Sequence, residues 1–448
     1  MMPDAVSDRS QFLAIIGAGP VGLALAKALQ NLDVPYEQLE ADDDVGGNWY
    51  HGVYETAHII SSKKTTEFSD FPMPADYPDF PSRHQMYEYL RAYADHFNLR
   101  PRIQFKTKVI MARPLRDERW ELELATGEKR IYKGLLICNG HHWARRFPNY
   151  PGRFAGEFIH SKDYKRPEQV AGKRVLVIGG GNSACDVASE AARVGACSHI
   201  SLRRGYWFLP KTVCGVPLVE FIRGWMPVPA QRLLLRAMLR VVFGKYERYG
   251  LPQPEHKIFE THPTINGELL HYVKHGRIAP KPDIARFDGH RVEFADGTGA
   301  EYDLVICATG YHVSFPFLPA GLVPVKGSIA QLYGGCMLPD YKNLYVIGTS
   351  QPRYGFGPLA TIGADLVARM IKMQDQMELP LGLVLKESGE KVPTTHLVDP
   401  HAAMRRMKRA RLTLPLLLRA ERRLREKQQN DPPTSNWPAQ SDVDLQVY

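Results

Sequence analysis

Short apolar runs, each closed by a glycine-rich turn or a polar break, set the rhythm of this chain. Phe12–Ile16 fits a buried strand, GAGPVG follows with glycines at Gly17, Gly19 and Gly22, and LALAKAL then has helical spacing. The same order returns at Lys173–Ile178, followed by GGGNSA from Gly179 to Ala184 and the helix-like CDVASEAARVG. LLIC before Asn139, LVICA before Thr309 and LYVIG before Thr349 read as closing strands. Between Val213 and Tyr249 the rhythm gives way to GVPLVEFIRGWMPVPAQRLLLRAMLRVVF. That stretch fits a lid over a cleft, a membrane-touching patch or a helical pair on the core. From His401 the pattern predicts two basic helices broken near Pro415, and the last twenty residues predict a disordered end.

Strand, glycine turn and helix in that order predict a dinucleotide site. Gly17 permits the tight turn, Gly19 lets a pyrophosphate approach the backbone, and Gly22 allows close helix–strand packing. Unpaired N–H groups at the helix start favour the phosphate charge. The following strand ends at Glu40, eighteen residues past Gly22. An acid there accepts from ribose hydroxyls and repels a 2′-phosphate, so this first site suits FAD or NAD. Gly46, Gly47, Asn48 and Trp49 then suit a loop passing close to a large flat ligand.

In the second site Gly179 and Gly181 keep their places, with Asn182 and Ser183 next, and Ala184 serves as the small third residue. The strand after its helix ends in Arg203 and Arg204 where the first site has Glu40. Guanidinium in place of carboxylate favours a 2′-phosphate, which predicts NADPH over NADH with Arg203 as the direct contact. Two such sites predict an α/β fold of two Rossmann-like dinucleotide-binding domains, the NADPH domain inserted in a split FAD domain. The expected bounds are 1–160 and 306–385 for the FAD domain and 161–305 for the NADPH domain. The latter carries a helical insertion over about 213–260, and 386–448 forms a basic helical tail with a disordered end.

Charge and cysteine content narrow the picture. The net charge of +9 comes largely from residues 401–428, which hold ten Lys/Arg against Glu421 and Glu426. The near-neutral remainder argues against nucleic acid as a partner. Six dispersed cysteines lack zinc-ligand spacing, and no metal site is expected. Cys138 and Cys307 read as buried strand residues, in keeping with a reducing compartment. No signal peptide and no apolar stretch of about 20 residues are found, so a cytoplasmic protein is expected, with peripheral membrane contact through the basic tail left open.

Between the two domains lies FAGEFIHSKDY, with Phe154, Gly156, His160 and Tyr164 matching F-x-G-x-x-x-H-x-x-x-Y. This resembles the identifying sequence of class B flavin monooxygenases, specifically the flavin-containing monooxygenase branch. FSDFPMPADYPDF from Phe68, YLRAYADHFNL from Tyr89, IQFKTKV ending at Val109, CNGHH from Cys138, GGGNSACDVA from Gly179 and CATGY over Cys307–Tyr311 are similar to that family's stretches in the same order. The resemblance leaves out residues before 10 and after about 385. It implies cofactor contacts at Gly46, Gly47, Trp49, Val109, Thr309, Gly310 and Gln351, and a place for Asn182 beside the nicotinamide. The implied chemistry is reduction of FAD by NADPH, O2 addition at flavin C4a to give a hydroperoxide, and oxygen transfer to a soft nucleophile such as an amine nitrogen or sulfide sulfur. Such chemistry asks for a dry site more than for side-chain acid–base work, so His160 and Tyr164 read as supports of the domain junction.

One departure stands out. Where the family has Asn ahead of the SDFP run, this chain has Ile60, with Ser61 and Ser62 as tentative catalytic substitutes. Without a substitute, the resemblance implies an uncoupled NADPH oxidase or a non-oxygenating NADPH/FAD sensor. A disulfide reductase needs a redox cysteine pair in the first domain, and none is present. A Baeyer–Villiger ketone monooxygenase comes second, since HGVYETAHII lacks the proline and aspartate of its longer signature. Siderophore N-hydroxylases share an A-T-G-Y-like stretch, matched by Ala308–Tyr311, without the Phe154–Tyr164 motif. The substrate and the oligomeric state are not legible.

Overall fold

The Phe12–Ile16 run forms the inner half of strand β1 (Ser7–Ile16), whose last four residues are all buried in a computed structural model of the chain. The model describes residues 6–222 and 224–430, so the expected disordered end lies almost wholly outside the described residues. The glycine turn leads into helix α1 (Pro20–Gln30), which buries Leu23, Leu25 and Leu29. Strand β2 (Tyr36–Leu39) follows, then helix α2 (Arg83–His96), started by a reciprocal Ser82–Gln85 capping box. Strand β3 (Ile103–Gln104) precedes a meander of β4 (Val109–Pro114), β5 (Trp120–Leu124) and β6 (Lys129–Ile137). The sheet runs β3-β2-β1-β6-β5-β4. β1 is parallel to both neighbours, with Leu13 beside Tyr36 and Ile16 beside Ile137. Strands covered on both faces need unbroken apolar residues, which is why these runs do not alternate.

Strands β7 (Gly152–Phe154), β8 (Glu157–His160) and β9 (Arg174–Ile178) precede helix α3 (Asn182–Val194) and strand β10 (Cys197–Ser201). Helix α4 (Val228–Val242) occupies the stretch that broke the rhythm. Then come β11 (Ala279–Lys281), β12 (Ile284–Gly289), β13 (Arg291–Phe294), β14 (Gly299–Glu301) and β15 (Leu304–Cys307). A parallel sheet runs β11-β10-β9-β15-β8, and a smaller one runs β14-β13-β12-β7. Residues 152–160, placed with the first unit by the sequence pattern, therefore sit in the second unit's sheets. β8 lies beside β15, with Ile159 next to Ile306. The pattern missed this because β8 is an edge strand with only His160 fully buried, so it lacks an apolar run.

Strand β16 (Leu344–Val346) returns to the first sheet, parallel to β6. Helix α5 (Gly357–Gln374) then lies against α1, and helix α6 (Leu381–Glu387) follows. The tail is helical only from residue 400: Leu397–Val398 first pairs with Gln351–Pro352. The two helices expected around Pro415 are one, α7 (Pro400–Asn430). A proline within a helix costs about 3 kcal/mol through a lost hydrogen bond and a ring clash. Tertiary contacts on both sides offset that. Leu414, Leu417, Leu418 and Leu424 pack on the first unit's core, and Arg411 pairs with Asp365 at 3.3 Å. Glu421, only 3% exposed, accepts the backbone N–H groups of Glu378 and Leu379.

In both units the glycine turn sits at the C-terminal end of a central strand with parallel neighbours on either side: β1 between β2 and β6, β9 between β10 and β15. Open α/β sheets bind ligands at such switch points.

Candidate functional site

The two turns share one construction. Gly17 and Gly179 both adopt left-handed backbone (φ +104° and +124°), and a Cβ on either would press within 2.7 Å and 2.5 Å of the carbonyl oxygens of Cys138 and Ala308. Gly19 and Gly181 cap α1 and α3 without any side-chain hydrogen bond, and neither first turn carries an acid. Gly22 and Ala184 are buried against their strands. Each helix thus presents N–H groups and the positive end of its dipole to the turn, a cradle whose chemistry fits a pyrophosphate.

The residues that differ set the ligand. Glu40, 7% exposed, accepts the N–H of Ala18 at 2.5 Å and of Asp42 at 3.0 Å. Burial outweighs those bonds and raises its pKa. A carboxylate oxygen that accepts one N–H keeps a further lone pair with which a ribose hydroxyl could bond. Arg203 and Arg204 follow β10, are exposed, and form no ion pair among the described residues; Arg204 stacks over Tyr206 at 5.4 Å. The fit is to a ribose 2′-OH in the first cradle and a phosphate in the second.

The Gly46–Trp49 loop lies across the first cradle. Gly46 donates to the Ala18 carbonyl, and a Cβ on Gly47 would stand 3.2 Å from the Gly19 Cα. Asn48 donates to the His142 carbonyl at 3.2 Å, and Trp49 packs on the core. Lys162, inside the Phe154–Tyr164 stretch, and Lys165, just after it, hold this loop and the residues that follow it. Lys162 donates to Asn48 Oδ1 at 2.7 Å, and Lys165 donates to the carbonyls of His51 and Gly52. Further along, Tyr54 donates to Asp186 of α3 at 2.7 Å, with Ser183 also at its hydroxyl. Asp186 is fixed from its other side by Asn266.

The motif residues themselves brace this junction. His160 donates from Nε2 to the Gly310 carbonyl at 3.0 Å, while its Nδ1 accepts the Lys162 N–H at 3.0 Å. Both ring nitrogens are engaged, the tautomer is set, and burial lowers the pKa. Tyr164, fully buried, donates to Glu190. Phe154 packs among Phe287 and His290 in the smaller sheet, and a Cβ on Gly156 would stand 2.7 Å from the Asp303 carbonyl oxygen. Thr309 and Gly310 meet Arg146: Thr309 donates to its carbonyl, and Arg146 Nε donates back to the Thr309 carbonyl at 3.0 Å. Gln351 donates its backbone N–H to His396. Val109 is buried in an apolar cluster with Leu124 and offers only backbone.

Asn182, Ser61 and Ser62, the candidate catalytic residues, all carry hydrogen bonds to the protein. Asn182 donates to the Pro263 carbonyl at 3.1 Å and accepts from the Ile265 N–H at 2.8 Å, pinning the 263–265 loop over the second cradle. Ser61 bonds Thr66 at 2.7 Å and Ser62 bonds Thr65 at 3.3 Å, both within their own turn. Ile60 packs into an apolar cluster with Tyr354 and Leu235.

Sequence reasoning missed Lys162, Tyr54, Asp186 and the histidines that line the cleft. His142 is exposed, with protein crowded around its ring. Burial, then His141, His262 and Lys162, hold its pKa well below the ordinary value. Burial pushes His262 down to about 4. His141 donates from Nδ1 to the Gly348 carbonyl at 3.0 Å, and its buried Nε2 has no partner among the described residues. Lys162 falls to about 8 through burial and then its neighbours Lys165 and Arg145. Only Lys162 had a signal, its place inside the motif.

A family model described as flavin-binding monooxygenase-like matches residues 10–391. Flavin-containing monooxygenase 5 of Oryctolagus cuniculus is 33% identical over 391 residues, 80% of this chain and 73% of that protein. Dimethylaniline monooxygenase (N-oxide-forming) 2 of Pan troglodytes is 32% identical over 393 residues, with the same coverage of each. The solved structure of cyclohexanone monooxygenase from Rhodococcus sp. Phi1 bound to NADP+ superposes with a TM-score of 0.70 at 17% identity, over 91% of this chain and 98% of that one.

Proposed function

Since the chain belongs to the flavin-binding monooxygenase-like family, whose members are oxidoreductases, we propose that it uses NADPH and O2 to oxygenate a soft nucleophile, an amine nitrogen or a sulfide sulfur. Its cofactors are FAD and NADP(H). NADPH, O2, a proton and the substrate are consumed; NADP+, water and the mono-oxygenated substrate leave. When bound, the cofactors supply the electron transfer and oxygen activation. The chain supplies position and dryness. Gly17, Gly19 and Glu40 would hold the FAD pyrophosphate and ribose, while Gly179, Gly181 and the α3 start would hold NADPH, with Arg203 and Arg204 on its 2′-phosphate.

The observation that carries this reading is the tie between cradles. Lys162 on Asn48 and Tyr54 on Asp186 hold the loop over the first cradle against the helix of the second. A reaction that passes electrons from one dinucleotide to another needs their reactive ends in fixed register. The Pan troglodytes relative, an N-oxide-forming dimethylaniline monooxygenase, favours an amine as the first substrate to try. The test follows NADPH loss, product and H2O2 with N,N-dimethylaniline, a dialkyl sulfide and cyclohexanone. One N-oxide or sulfoxide per NADPH is expected; ring-expanded lactone as the main product would move the protein to ketone oxygenation.

A second reading, an NADPH oxidase, has one observation in its favour. Ile60 is apolar and packed, and the hydroxyls of Ser61 and Ser62 are already bonded. One H2O2 per NADPH with every acceptor would establish it.

A further inference from the structure

Helix α4 has two apolar faces, and a helix lying on a protein surface needs one. The inner face, led by Leu235 and Leu239 at 4% and 3% exposed, packs on a cluster that includes Ile60 and Tyr354. The outer face repeats at helical spacing through Ala230, Leu233, Leu234, Ala237 and Val241, all exposed. Leu233 is 72% exposed and Val241 86%, and the loop before the helix adds Trp225 at 79%. Single exposed apolar residues are ordinary; a continuous stripe marks a contact surface.

Charge says what covers it. From Phe221 to Tyr246 there is no acid, against Arg223, Arg232, Arg236, Arg240 and Lys245. Arg236 and Arg240 are exposed beside the stripe and form no ion pair among the described residues, and Glu247, the nearby acid, feels Arg240 and Lys245 only at longer range. Arg405 of the basic helix α7 donates to the Gly224 carbonyl at 2.8 Å, which seats the Trp225 loop against a second cationic surface. A second copy of the chain pairing on this face would set these cations against each other.

We infer that the outer face of α4, with Trp225, docks on an anionic lipid surface. Leucine and valine enter the acyl boundary, the indole sits at the headgroup level, and the flanking guanidinium groups reach the phosphates. The helix lies in the interface, since no helix among the described residues is long and apolar enough to cross a membrane. The inner face of the same helix shares an apolar cluster with Ile60, so the docked helix stays anchored on the protein.

The experiment is vesicle flotation of the full, flavin-loaded chain with phosphatidylcholine alone and with phosphatidylcholine containing phosphatidylserine. Binding to the anionic vesicles, falling with salt, is expected. Leu233→Asp/Val241→Asp should abolish it, and Arg236→Gln/Arg240→Gln should weaken it about fivefold per charge removed. Flavin content and melting temperature serve as controls, since all four side chains are exposed. No flotation with anionic vesicles, or flotation indifferent to the Leu233/Val241 change, would overturn the inference. So would concentration-dependent self-association that Leu233→Asp removes, because a second copy would then be the occupant.

Discussion

The ammonium of Lys162 sits 2.7 Å from Asn48 Oδ1 and 3.4 Å from the His142 carbonyl, so one side chain of the second unit fastens the loop that closes over the first unit's glycine turn. It is the clearest physical link between the two cradles, and it lies between His160 and Tyr164 of the motif that the sequence marks without explaining.

Lys162→Met removes a charge-assisted bond worth about 1.5–3 kcal/mol. We expect FAD to bind roughly tenfold to a hundredfold more weakly, measured by equilibrium titration of the apoprotein, while the second cradle's affinity for NADP+ changes little. Undiminished FAD affinity would show that the loop holds itself.

Tyr164→Phe separates bracing from acid–base catalysis. Glu190, 5% exposed, loses the hydroxyl that satisfies it, and leaving such a group unpaired costs roughly 1–3 kcal/mol. The melting temperature should fall while kcat and its pH profile stay in place. A shifted pH profile in a protein of unchanged stability would make Tyr164 part of the chemistry.

Arg203→Ser/Arg204→Ser should lower kcat/KM for NADPH by about tenfold to a hundredfold and leave NADH nearly untouched, because only the 2′-phosphate loses its partners. An unchanged NADPH/NADH ratio would place the phosphate elsewhere.

Acid should destabilise the fold through His262. Its folded pKa is about 4 against 6.5 for the ordinary side chain, so between these values the unfolded chain binds a proton that the folded chain refuses. The stability is present above pH 6.5 and is lost as pH falls toward 4, by up to roughly 3 kcal/mol for this group. Denaturant midpoints across that window should fall less steeply in His262→Gln than in the parent protein.

Ile60→Asn tests the oxidase reading. If the missing amide is what lets reducing equivalents escape, the fraction of NADPH recovered as H2O2 should drop and oxygenated amine should rise. Equal fractions in both proteins would show that the packed Ile60 side chain does not control coupling.

Much of the site was legible because backbone geometry enforces it. Gly17 and Gly179 occupy positions where no other residue avoids a carbonyl, and Glu40 and the Arg203–Arg204 pair follow strands whose apolar runs announce them. Lys162, Tyr54 and Asp186 were not legible, since a hydrogen bond between residues 114 or 132 positions apart leaves no periodic trace in the chain. The same holds for His262, whose ordinary-looking position becomes a half-buried one only when distant segments meet around it. Asn182, expected beside the nicotinamide, makes two hydrogen bonds that the sequence did not signal, both to the 263–265 loop.

Local rules were overturned wherever distant packing outweighed them. Pro415 should end a helix, yet Asp365, Glu378 and the α5–α6 surface hold α7 straight through it. Glu157–His160 has no apolar run, yet it completes the second sheet because β15 offers an open edge. The local order of residues was enough to set the two strand–turn–helix units, because φ angles, helix dipoles and strand burial act within some thirty residues of chain. The tertiary structure alone decided how the cradles are joined, where the tail packs and which face of α4 meets solvent, because those depend on contacts between segments the sequence keeps far apart.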